Sequence, residues 1–377
     1  MTRRTGSGSG RLRTAARPPT RRGQPTAARA ACTLGLLAVT LFGLAACRRD
    51  PHPARLAGYT MGTTYSIVIA DGTLGRRELD ALHADVEQVL QDINRRMSIY
   101  DPDSEISRFN RHLDTEPFAV SAELSRVVER ALELAAATGG AFDPTVGELV
   151  NLWGFGPAGM PDTAPDPGRI ESARQRSGYR HLAVTPDGRL VKAIPDLQLD
   201  LGGIAKGYGV DQVARLLRHH GVARFLVEIG GETLAQGLNA RGEAWRVGIH
   251  RPTRSPAAET ALQGIARLDG GRAIATSGDY RQAYRDEHGQ MQTHIIDPRT
   301  GAPIRQAVAS VSVLAPDAMT ADSLATALTV LGPKEGQAVL DAHFPGVEAL
   351  FILRDADGRF QEVPTPGFVA AGHYTPR

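Results

Sequence analysis

The chain predicts a mixed α+β fold organised around a largely antiparallel sheet, and three observations carry that expectation. Short apolar, β-branched runs recur at 225–229, 245–249, 263–267, 273–277, 308–314 and 347–353. They are interleaved with amphipathic helical segments, as in sheet folds that bury one face against helices. About 310 residues follow residue 57 before the C-terminal tail, enough for one large unit or two intimately joined lobes.

The first 30 residues hold eight arginines and no acid, and the apolar run 31–44 that follows is too short for a comfortable membrane span. This reads as an export signal. It ends in Leu44-Ala45-Ala46-Cys47, which resembles the bacterial lipobox, so residues 1–47 are expected to be a lipoprotein signal peptide with Cys47 lipidated, and 48–56 a tether. The 43 basic residues of the whole chain include those eight, leaving 35 against 41 acids after the leader, a net charge of −6. An acidic exported domain with no clustered basic surface argues against nucleic-acid binding. Its one other cysteine, Cys32, falls in the leader, which excludes an internal disulfide or a thiolate metal cluster in the mature domain. No transmembrane span is expected after residue 47.

The main domain is expected over 57–366, with 367–377 as a tail. Residues 59–69 read as a strand. Leu79, Leu82, Val86, Val89, Leu90 and Ile93 mark a helix over 75–96, and a second helix spans 121–138 between Ser121 as N-cap and Gly139-Gly140 as stop. A short helix and a hairpin turning at Thr185-Pro186-Asp187-Gly188 fill 164–195. An amphipathic helix follows Asp200–Tyr208 and ends near His220-Gly221. Beyond the recurring strands, 293–296 reads as another, and the last helices are expected at 321–331 and 334–342.

Four places concentrate polar chemistry. Asp322 and Thr326 stand one helical turn apart on the same face, either as two oxygen donors for a hard cation such as Mg²⁺ or as the ordinary first turn of a helix. Thr138–Gly147 and Leu152–Pro157 are glycine-rich, either to let the backbone approach a ligand or simply to turn the chain. Asp200–Tyr208 joins an acid, close glycines and Lys206 at a helix start, which suits either a pyrophosphate or a plain strand-to-helix turn. His294 opens an apolar run that ends in an Asp297-Pro298 turn, and is either a general base or a structural histidine. None of these matches a P-loop or a dinucleotide fingerprint.

Taken together the segments resemble the ApbE family of FAD:protein FMN transferases. The likeness is carried by Met61-Gly-Thr-Thr-Tyr65, Met97–Glu105, Gly140-Ala-Phe-Asp-Pro-Thr-Val-Gly147, Leu199–Tyr208, Ile229-Gly-Gly-Glu232, Ala275-Thr-Ser-Gly-Asp279, His294–Gly301 and Ala321–Thr326, in that order over roughly 270 residues. The resemblance implies a T-fold-like architecture with FAD between two lobes. It also implies Mg²⁺-dependent transfer of FMN to a threonine hydroxyl of a partner protein, with release of AMP. By the same resemblance Met61, Tyr100, Ala141, Phe142, Asp143, Asp200, Lys206 and Ile295 line the FAD site, with Tyr100 stacking on a ring. Asp322 and Thr326 hold the metal with the carbonyl of Gly203 or of Ala205, and His294 serves as base. The implied acceptor is a membrane electron-transport subunit, and the implied location is the periplasmic side of a bacterial membrane, inner rather than outer. Two other readings stand beside this one: an Mg²⁺-dependent FAD pyrophosphatase using the same site, and a non-catalytic flavin-binding lipoprotein.

Overall fold

The computed structural model describes residues 53–377 apart from 73, 162, 254–260, 281–282, 306 and 371. The leader, Cys47 and most of the expected tether lie outside the described residues. The chain runs β1 (Ala54–Thr60), β2 (Thr63–Ile69), α1 (Arg76–Met97), α2 (Glu105–Arg111), α3 (Ala122–Ala137), α4 (Gly147–Leu152), α5 (Pro167–Arg176), β3 (Leu182–Val184), β4 (Leu190–Lys192) and α6 (Ala205–His219). It continues through β5 (Phe225–Ile229), β6 (Glu232–Gln236), β7 (Trp245–His250), β8 (Leu262–Leu268), β9 (Ala273–Gly278), β10 (Ala283–Arg285), β11 (Met291–Thr293), β12 (Ile296–Asp297), β13 (Ala302–Pro303) and β14 (Val308–Ala315). It closes with α7 (Ala318–His343), β15 (Glu348–Arg354), β16 (Phe360–Pro364), α8 (Pro366–Ala370) and β17 (Tyr374–Pro376). No helix among the described residues is long and apolar enough to cross a membrane.

Eight strands form one sheet in the order β1-β2-β5-β6-β9-β14-β15-β16, and every neighbouring pair is antiparallel. Successive side chains on a strand point to opposite faces, so each inner strand feeds two cores. Phe225, Val227 and Ile229 face the helices with Leu82 and Val86 of α1, Val213 and Leu217 of α6, and Leu324 and Leu328 of α7. Ala235, Ile274, Leu314 and Leu350 face the other way, onto Trp245, Ala266, Phe368 and Tyr374 from the β17-β8-β7 sheet and α8. All eight residues of β14 are buried, as expected of a strand covered on both sides. α4, α5 and the short β12–β13 ladder contribute to two small clusters of their own, one built on Leu149, Trp153, Ala173 and Ile296, the other on Ala141, Ile295, Ile304 and Val330.

Most expected elements fall within a residue or two of their predicted bounds, and five points differ. The expected strand 59–69 is a hairpin, because Met61 (φ 50) and Gly62 (φ 70) both adopt the left-handed conformation that a tight two-residue turn between twisted strands requires. Pairing already begins at Ala54 opposite Ile69, so the last residues of the expected tether are part of the sheet. The segment from 367 onward packs as structure: Phe368 is fully buried, and Tyr374–Pro376 pairs with β8. The expected strand 293–296 breaks into β11 and β12, with His294 and Ile295 between them. The two last helices are one run interrupted at Gly332 (φ 73), where Pro333 withholds an amide donor.

Candidate active site

The site is built where α6 meets the first turns of α7. A Cβ on Gly207 would overlap the carbonyl of Ala318 and lie 2.7 Å from Met319 Cα, so only glycine lets the two backbones approach this closely. That approach brings Asp322, 2 % exposed, under the start of α6. Its Oδ2 accepts the Gly207 amide at 3.0 Å and its Oδ1 lies 3.4 Å from Lys206 Nζ. Lys206 also lies 3.4 Å from Oε1 of the buried Glu232 and donates to the Gly202 carbonyl at 3.4 Å. An amide and an ammonium donor thus face this one buried carboxylate.

One turn along α7, Thr326 Oγ1 donates to the Asp322 carbonyl at 3.3 Å and meets Ser277 Oγ of β9 at 3.3 Å. Gly203 backs onto this hydroxyl: an added Cβ would come 3.1 Å from Thr326 Oγ1 and 3.2 Å from Phe142 Cε2. The carboxylate of Asp322, the hydroxyl of Thr326 and the backbone of the Gly203 loop are therefore adjacent. All are hard oxygen donors, and they fit an ion such as Mg²⁺ that completes its shell with water and phosphate.

Around this centre the other expected residues take distinct places. Met61 occupies the β1–β2 turn with its side chain against α6, where an added Cβ on Gly209 would stand 3.0 Å from Met61 Cε. Met61 is the one non-glycine residue with positive φ among those described. Tyr100 is 65 % exposed, yet its hydroxyl donates to the Phe155 carbonyl at 2.8 Å, which holds the ring as a fixed open platform. Burial and the charge of Asp200 raise its pKa. Asp200 accepts the Gly202 amide at 2.6 Å; burial raises its pKa against the opposing pull of that amide and of Lys206. Ala141 and Phe142 are buried, as is Ile295, which packs with Ala141 and Val330.

The carboxylate of Asp143 is turned inward. Oδ1 accepts the Thr145 amide (2.8 Å) and hydroxyl (2.6 Å), and Oδ2 accepts the Tyr179 amide at 2.8 Å. His294 is half-buried, edge-on to Phe155 with ring centroids 6.3 Å apart. Val330 lies one further turn along α7 from Thr326 and packs with Ile295, which links the histidine segment to the helix that carries Asp322.

Residue-by-residue reading of the chain passed over Ser277, Glu232, the Gly207 amide and Phe155 as site components. The first two sat inside segments already singled out, Ala275–Asp279 and Ile229–Glu232, but nothing in their spacing assigns a partner across the sheet. A cavity of about 190 Å³ is lined among others by Ile99, Asn110, Asn151, Gln198 and Leu199.

This antiparallel α+β scaffold gathers a lysine, a helix-start amide and a hydroxyl beside one buried carboxylate. The sequence model of the ApbE family matches residues 61–351. The chain is 43 % identical over 329 residues to the FAD:protein FMN transferase of Vibrio cholerae, covering 87 % of this chain and 96 % of that one. It superposes on the solved structure of the flavin transferase ApbE from Vibrio cholerae with a TM-score of 0.74 at 42 % identity, over 84 % of this chain and 98 % of that one. The apo flavinyl transferase ApbE of Pseudomonas stutzeri gives 0.72 at 36 % identity, over 84 % and 96 %. The chain belongs to the ApbE family.

Proposed function

We propose that this protein is an FAD:protein FMN transferase that moves FMN from FAD to a threonine hydroxyl of a partner protein and releases AMP. The observation that carries the reading is the meeting of Asp322, Lys206 and the Gly207 amide beside Thr326, in a chain that shares most of its length with proteins of that name. In this reading Asp322, Thr326 and a carbonyl of the Gly203 loop hold Mg²⁺, which supplies charge neutralisation at the pyrophosphate. Lys206 binds the phosphates at the start of α6. Tyr100 offers its exposed face to a ring of FAD, and Met61 closes the site from the β1–β2 turn. His294 accepts the threonine proton on a ring nitrogen. A bond forms between the threonine oxygen and the FMN phosphorus, the phosphoanhydride bond breaks, and its electron pair leaves on the AMP phosphate.

The acceptor proposed is a membrane electron-transport subunit with an accessible threonine, and the enzyme is lipid-anchored through Cys47 on the periplasmic side, most naturally of the inner membrane. The test is an incubation of the chain from residue 47 with FAD, Mg²⁺ and a threonine-containing acceptor domain, reading flavin fluorescence in the gel and AMP in solution. Labelled acceptor with Mg²⁺-dependent AMP is the expected result. AMP without label identifies a pyrophosphatase, and neither product identifies a flavin-binding protein.

A further inference from the structure

We infer that Phe155 is a positioning residue that couples the Tyr100 platform to the imidazole of His294, so that occupancy of one is felt by the other. The inference rests on the proposed reading for the roles of Tyr100 and His294, and on a set of contacts that meet in one short segment. Residues 152–156 leave α4 through Gly154, whose φ of 80 turns the chain back so that the Phe155 amide donates to the Val150 carbonyl at 3.0 Å. The carbonyl of the same residue accepts the Tyr100 hydroxyl at 2.8 Å. Its ring packs against Tyr284 with centroids 5.4 Å apart at 44°, and meets His294 edge-on at 6.3 Å and 68°.

The segment is pinned on two further sides. Tyr284 donates its hydroxyl to the Trp153 carbonyl at 3.0 Å, and Trp153 Nε1 donates to the carbonyl of Gly301, in the turn that follows His294, at 2.8 Å. Phe155 therefore has no slack. A shift of Tyr100 moves its carbonyl, and a shift of its ring changes the packed surface against which the imidazole sits. Edge-to-face aromatic geometry is directional, so the phenyl ring restricts the plane of the imidazole as well as its position. A ring stacking on Tyr100 acts on that surface through one hydrogen bond and one side chain. Neither glycine richness nor apolar spacing in 152–157 assigns this role, which appears only once α4, β10 and the His294 turn are brought together.

Phe155→Leu, which keeps apolar volume but removes the ring edge, tests it, with Tyr100→Phe as a second variant at an exposed position where folding is not at risk. The first readout is the NMR signal of the His294 imidazole, assigned by its loss in His294→Gln. FAD is expected to shift that signal in the wild type, to leave it unshifted in Phe155→Leu, and to shift it less in Tyr100→Phe. The second readout is kinetic. Phe155→Leu is expected to lower kcat about 10- to 100-fold, the scale of a small misplacement of a reacting group, with FAD Kd unchanged. An FAD-induced His294 shift of wild-type size in Phe155→Leu overturns the inference, as does a loss confined to FAD Kd. A His294→Gln protein that still transfers FMN at the wild-type rate removes the base assignment alone, because the ring signals still read the coupling.

Discussion

Asp322 of α7 accepts the backbone amide of Gly207, the third residue of α6, at 3.0 Å. One buried carboxylate thus does two jobs, joining two helices and presenting its other oxygen to Lys206. Asp322→Ala is expected to abolish Mg²⁺-dependent turnover and also to cost about 1–3 kcal/mol, because the Gly207 amide loses its partner in a buried place. Asp322→Asn keeps an acceptor for that amide, so it should separate the effects, with stability near wild type in urea titration and turnover still lost.

Gly203, in the loop before α6, and Gly207, in the first turn of α6, should respond differently to alanine. At Gly207 the new methyl meets backbone atoms of Ala318 and Met319, which cannot swing aside. The expected loss is about 1–3 kcal/mol or more by overpacking, with activity falling as α7 is pushed away. At Gly203 the nearest atoms are 3.1 Å and 3.2 Å away on the side chains of Thr326 and Phe142, which can yield by tenths of an ångström. Gly203→Ala should fold with near-wild-type stability and retain Mg²⁺ binding, since a carbonyl ligand survives the change. Calorimetric titration with Mg²⁺ checks it.

Asp211 of α6 receives the amides of Ala318 (2.9 Å) and Met319 (3.0 Å) at the start of α7, yet burial, helped by Asp317, pushes its pKa up to about 6. A folded-state pKa raised above the unfolded value of 3.8 means that the native protein binds the extra proton. Its contribution to stability is complete below about pH 4 and lost as pH rises through 6. Asp211→Asn, which cannot titrate, should therefore gain on the wild type by roughly 2–3 kcal/mol between pH 4 and pH 7, a two-unit shift at about 1.4 kcal/mol per unit. Parallel urea midpoints at the two pH values measure the difference, and an equal pH response in both proteins would contradict it.

Met61 holds φ 50 in the β1–β2 turn, a conformation that asparagine tolerates better than methionine. Met61→Asn should keep the hairpin, with stability within about 1 kcal/mol, while FAD Kd rises because the thioether is gone. Fluorescence quenching of FAD titrated with protein reads it directly.

His294→Ala should abolish flavin transfer while FAD still binds. Loss of FAD binding in that variant would make His294 structural instead.

Much of this architecture was legible in the chain because it depends on neighbours in sequence. The α3 boundaries followed from Ser121, whose hydroxyl accepts the Leu124 amide, and from Gly139 and Gly140, both with positive φ. The β5 strand followed from the short apolar, β-branched run Phe225–Ile229. The hairpin at Met61 was not legible, because methionine carries no signal for a left-handed turn and only strand pairing on both sides enforces it. The resemblance implies Asp143 at the FAD site, but nothing local in the chain shows that its oxygens accept three donors from Thr145 and Tyr179.

By itself the sequence determined the fold class, the long helices and most long strands though not α2, α4 or β6, the family likeness and the helical pairing of Asp322 with Thr326, since periodicity, capping and ordered motifs act over a few residues. Only the tertiary structure decided which groups face that pair. Lys206 and Gly207 lie more than 110 residues away in the chain, Glu232 and Ser277 reach the site from the sheet, and Phe155 reaches His294 across another loop. Such contacts depend on how closely two helices can approach and on strand register, quantities set by packing of the whole core rather than by any local stretch of residues.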